Sequence, residues 1–142
     1  VEARNPETPL CIAVQRNAIE AARLLIDRGA DVNVRAAHGM TPLMMACIGG
    51  LAEMASLVLD RGADPLACTG TGVTPLIYTL VATKLDPSGY AEVIRVLLKD
   101  GRVPVNARDR RGWTALWRAC WCGLTERARV LLVEGGADHT IA

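Results

Sequence analysis

Residues Thr41–Val73 read TPLMMACIGGLAEMASLVLDRGADPLACTGTGV, and this stretch decides the architecture. Thr is a good helix N-cap, because its hydroxyl accepts an orphan backbone N–H. Pro in the first helical turn has its φ preset and lacks only a donor that would be unpaired there anyway. Thr41-Pro42 therefore starts a helix, expected to run to about Ile48. Gly49-Gly50 breaks it, since Gly tolerates the left-handed turn after a helix. A second helix is expected from about Leu51 to Asp60, with Met54, Leu57 and Val58 at helical spacing. Arg61-Gly62 stops it, and the Gly, Pro, Thr and Asp of Ala63–Val73 suit a turn or short hairpin.

The same plan recurs along the chain. It opens at Thr8 as TPLCIAVQ, at Thr74 as TPLIYTL and at Thr114 as TALWRAC. Thr8 to Thr41 is 33 residues and Thr41 to Thr74 is 33 again, the mark of a repeat array. Gly-Ala-Asp closes three units (Gly29–Asp31, Gly62–Asp64, Gly136–Asp138), and Val-Asn follows at Asn33 and Asn106. On these motifs the whole chain resembles the ankyrin repeat family.

The resemblance implies an all-α solenoid of stacked helix-turn-helix units with short β-turn or hairpin fingers. It forms a single domain over residues 1–142, with repeats at about 3–35, 36–68, 69–108 and 109–142. It also implies a non-catalytic protein-protein interaction module that binds a peptide or protein on its concave face. Two alternatives are an architectural spacer in a larger protein and a substrate-receptor module such as a ubiquitin-ligase adaptor. The His usual after Thr-Pro-Leu is replaced by Cys11, Met44, Ile77 and Trp117, so each turn must be held some other way. The resemblance marks Asn33 and Asn106 as the position that asparaginyl hydroxylases modify in some relatives. The plainer reading is turn asparagines bonding their own backbone.

The third repeat is abnormal. Thr74 to Thr114 is 40 residues, with about six extra at Thr83–Ser88 and another near Val103-Pro104. The polar, turn-rich insertion is expected to extend the loop between the two helices, either as a tolerated surface insertion or as a partner contact. In the fourth repeat Glu126, Arg127 and Arg129 are expected to give the last helix a polar outer face. In the second helices Leu24, Leu57, Leu97 and Leu131 share one register position and are each expected to be buried against a neighbouring repeat.

Composition narrows the function. The chain is 51% hydrophobic, which suits a packed domain rather than a disordered chain. Apolar runs fall far short of the ~20 residues of a membrane span, and no signal peptide is visible. The five cysteines, an odd count scattered among the helices, do not look like a secreted disulfide framework. They read as free thiols packed as small hydrophobes in an intracellular, reducing compartment, cytoplasm or nucleus. With only His38 and His139 besides them, zinc-ligand spacing is absent. No cofactor or metal is expected. The two Ser, Ser56 and Ser88, form no nucleophile motif, and no P-loop or metalloprotease signature occurs, so no enzyme is expected. The net charge of +1 is low for a nucleic-acid domain, and none is expected as partner.

That charge is uneven. Gly101–Val130 holds seven Arg against two acids. Arg pairs bidentately and stacks on rings, which suits protein interfaces. Three register positions in each repeat are expected to line one side of the array: the residue before Thr, the third after it and the seventh after it. They are Glu7, Cys11 and Gln15; Met40, Met44 and Ile48; Val73, Ile77 and Val81; and Trp113, Trp117 and Trp121, which are all three Trp of the chain. Arg108, Arg110 and Arg111 flank the Trp cluster on its finger. The expected site is a groove for an apolar segment with an acidic residue near the Arg finger. The competing reading has these Trp filling the space of the missing His and packing on the third repeat.

Overall fold

The computed structural model describes residues 7–81 and 88–140. They hold eight α-helices: α1 (Pro9–Gln15), α2 (Ile19–Asp27), α3 (Pro42–Gly49), α4 (Ala52–Asp60), α5 (Pro75–Val81), α6 (Ser88–Asp100), α7 (Ala115–Trp121) and α8 (Thr125–Val133). Consecutive pairs form four antiparallel hairpins stacked in chain order, with α1, α3, α5 and α7 in one layer and α2, α4, α6 and α8 in the other. Among the described residues there is no strand. Each finger is a tight turn closed by a pair of backbone bonds: Ala36 N–H to Met40 O with Gly39 N–H to Ala36 O, Thr69 N–H to Val73 O with Gly72 N–H to Thr69 O, and Asp109 N–H to Trp113 O with Gly112 N–H to Asp109 O, all between 2.8 and 3.1 Å.

The first helices start as their sequence dictates. Thr8, Thr41 and Thr114 sit in extended conformation, and their hydroxyls accept the N–H of Cys11, Met44 and Trp117. Sulfur takes over the missing His contact in two turns. The Thr41 N–H points at Met44 Sδ at 3.4 Å, and the Thr8 hydroxyl donates to Cys11 Sγ at 3.3 Å. Gly50 ends α3 in the left-handed region at φ 68°, and Asn17 does the same work after α1 at φ 54°.

The Asn residues are not local turn groups. Asn33 donates to Gly62 O and accepts from Asp64 N–H, and Asn106 accepts from Asp138 N–H. Each side chain bonds the next repeat's backbone, which corrects the expectation that it bonds its own. The local turns are made instead by Asp31, Asp64 and Asp138, each accepting the N–H two residues on.

The core runs through both layers: Leu10, Val14, Leu43, Leu76 and Leu80 from the first helices, Met54, Val58, Ile94, Leu97 and Leu131 from the second. Burying such a side chain contributes roughly 1.5–3 kcal/mol. Leu24 breaks the expected pattern. It is 60% exposed where its register equivalent Leu57 is 8% exposed. It projects from the outer side of the first hairpin, and no described helix packs there.

The third repeat departs from the others in its second helix. Helix α6 has 13 residues against nine in α2, α4 and α8. The insertion expected at Thr83–Ser88 lies outside the described residues up to 87, but Ser88 already belongs to α6 rather than to a loop. The added turn lies against the Gly50 carbonyl at Gly89, where a Cβ would come to 2.3 Å from the oxygen. It also carries Tyr90, fully buried, whose hydroxyl donates to Ile48 O at 3.0 Å. Arg127 of α8 lies over the Tyr90 ring at 4.2 Å and donates to Thr79 O at 2.7 Å. Arg127 is only 4% exposed, so it does not belong to a polar outer face. Desolvation pushes its guanidinium below its ordinary range, against the pull of Tyr90 and Cys122. The outer face of α8 is in fact partly apolar, with Val133 76% exposed.

Cys11 and Cys47 are buried as small hydrophobes, but Cys68, Cys120 and Cys122 are exposed, so the packed-thiol expectation fails for those three. Burial pushes the Cys47 thiol well above the usual thiol range. Among the described residues no helix is long and apolar enough to cross a membrane, and no cluster of His, Cys, Asp and Glu could hold a metal.

Candidate partner-binding face

Trp117 and Trp121 are four apart on α7 and share a helix face. Trp113 precedes the Thr114 cap in extended conformation and folds back onto them. The result is a ladder. Trp113 and Trp117 stack with centroids 4.1 Å apart, and Trp117 and Trp121 with centroids 5.3 Å apart. The ladder opens outward: Trp113 and Trp117 are half-buried, while Trp121 is 75% exposed. An ordered aromatic surface in water is costly unless something covers it.

Arginines frame the ladder. Arg111 lies 5.2 Å and Arg118 5.7 Å from the centre of the Trp113 ring, within cation–π range. Arg118 also donates to Asp109 at 3.1 Å. Asp109 accepts the N–H of Arg111 and of Trp113 on its other oxygen, so both oxygens of the finger's single carboxylate are engaged. Burial pushes the Asp109 carboxyl up, but the Trp113 N–H, the Arg118 guanidinium and the Arg111 N–H outweigh it and hold the group below the usual carboxylate range. Arg108, Arg110 and Arg111 are exposed and form no ion pair among the described residues.

The expected strip divides. Met40 and Ile48 line a groove of about 300 Å³ with Glu7, Gln15, His38 and Met45. Val73 and Ile77 line a cleft of about 270 Å³ with Thr71, Gly72, Asp109, Arg110, Arg111 and Arg118. Val81 is exposed at the end of α5. Met44 is fully buried and is not a surface residue, and Cys11 at the same register is buried too. Their small or flexible sulfur side chains fold back onto the capping Thr. Trp117, at that register in the fourth repeat, is too large to do so and stacks outside.

Arg118 is the site residue that sequence reasoning missed. Its register equivalents are Ile12, Met45 and Tyr78, so the lone charge at that position was the available signal.

These observations fall within one family. The family description "Ankyrin repeats (3 copies)" matches residues 1–67 and again residues 66–142. The chain belongs to the ankyrin-repeat family. No individual curated protein matches it significantly. Ankyrin repeats are generally non-catalytic modules that bind other proteins.

Proposed function

We propose that this chain is a non-catalytic interaction module that holds an extended partner segment on the face built by its fingers and first helices. The Trp ladder is the principal contact. The observation that carries this reading is the stacked, outward-facing ladder itself, with Trp121 75% exposed on a short capped helix. Trp and Arg are the side chains most enriched at interface hot spots. The segment is apolar where it crosses Ile77 and the ladder, and acidic where it passes the finger bearing Arg108, Arg110 and Arg111. Met40, Ile48, Val73 and Val81 extend the contact towards the first repeats. Five unpaired cysteines support a reducing, intracellular setting.

Selection of a random peptide library on the immobilised domain tests the reading. Selected peptides are expected to bind saturably, and Trp121→Ala to weaken them by more than ~2 kcal/mol while leaving the melting temperature unchanged. Affinity indifferent to Trp121→Ala, or a variant that unfolds, overturns the reading.

A further inference from the structure

We infer that the cleft between the second and third fingers is the seat of one acidic side chain of the partner, held by Arg110 and Arg118. This rests on the concave-face reading above and adds the chemistry of one subsite. The cleft is lined by guanidinium donors on one wall and by Val73 and Ile77 on the other. Three arginines, Arg110, Arg111 and Arg118, meet one carboxylate, Asp109, so two positive charges are left over. Asp109 offsets only one charge, and its oxygens already accept from Arg118 and from two backbone N–H groups. None of the three indole N–H groups has a hydrogen-bond partner among the described residues. The surface around the cleft thus offers more donors than free acceptors, Asp109 and Thr71 being engaged within the chain, and a partner brings the rest.

The cleft is shaped as well as charged. The Arg110 side chain lies flat against Gly72, where a Cβ would stand 3.0 Å from Nε and 3.2 Å from Cγ. Gly72 also sits at φ +83°, which L side chains rarely adopt. A larger residue there would displace Arg110 from the wall. The guanidinium fork takes a carboxylate or a phosphate. The occupant is assigned as a carboxylate on charge, because a dianion would meet the stronger repulsion from Asp109, whose carboxyl is held below its usual range in the same cleft.

The test uses random-peptide selection on the intact domain, run in parallel on wild type, Arg110→Gln, Arg110→Lys and Trp121→Ala. The expected result on wild type is an apolar motif with Asp or Glu at one fixed spacing. Arg110→Gln should lose the acid and keep the apolar positions, and a wild-type-selected peptide should bind it about tenfold more weakly. Arg110→Lys should recover part of that loss, since it restores charge without the planar fork. An apolar motif without an acid, unchanged in Arg110→Gln, overturns the carboxylate seat and leaves the ladder reading standing. A phosphoserine version of the peptide that outcompetes the Glu version replaces the carboxylate with a phosphate and overturns it too. No enrichment on wild type, or enrichment unaffected by Trp121→Ala, overturns both.

Discussion

Arg118 of α7 donates to Asp109 of the third finger at 3.1 Å, and through this bond the helix that carries the Trp ladder also holds the finger that carries the arginines. The pair is the hinge point of the site. Remove it and the ladder and the Arg finger lose their fixed relation.

Acid should therefore loosen the site. Asp109 has a depressed carboxyl, so its contribution to stability is fully present above the unfolded carboxyl pKa of about 3.9 and is lost as pH falls through its lower folded value. Melting of wild type and Asp109→Asn from pH 6 to pH 2 checks this. The gap between them is expected to be steady down to about pH 5 and to close below about pH 4. A gap undiminished at pH 2 would show that the loss comes from packing alone.

Register sets the cost of core truncation. Leu57→Ala should cost ~2–5 kcal/mol, the usual range for a buried Leu. Leu24→Ala should cost under ~1 kcal/mol, because its side chain is already largely in water. Urea titration of the two variants gives both numbers, and equal losses would contradict the stacking described.

Arg127 tests whether the buried cation is wanted for its charge or for its bulk. It fills space beside Tyr90 and bonds the Thr79 carbonyl. Arg127→Ala removes the filling and should cost about 3 kcal/mol, as other large core truncations do. Arg127→Met keeps most of the volume and should cost about 1 kcal/mol. Equal, large losses in both variants would assign the stability to the guanidinium bonds.

The inter-repeat asparagine is the fourth case. Asn33→Ala deletes two bonds to the second repeat and should cost about 1 kcal/mol, since the groups freed can turn to water. Asn106→Ala, which loses the bond to Asp138 N–H, should cost less. The reverse order in thermal melts would mean that Asn106 carries the larger share.

The fold was legible because its signals are local and periodic. Thr-Pro at positions 8, 41 and 74 fixes helix starts, Gly50 fixes a stop, and the 33-residue spacing fixes how the pieces stack. What stayed hidden depends on contacts across repeats. Arg127 looks like a surface charge on α8 until the lengthened α6 brings Tyr90 beneath it. Met44 and Cys11 share a register with Trp117, yet their side chains fold inward and the indole cannot. In the site, the Trp117 and Trp121 pair follows from helical spacing. Arg118 does not, because its partner Asp109 lies nine residues back on a finger.

The ladder holds every Trp in the chain, so intrinsic fluorescence reads the site without a label. The central claim is that a partner segment covers this ladder. Titration of the domain with a peptide selected on it should give a saturable blue shift of the Trp emission, at the same Kd as calorimetry, as water leaves Trp121. Saturable binding by calorimetry with the emission unmoved would place the partner elsewhere and contradict the account.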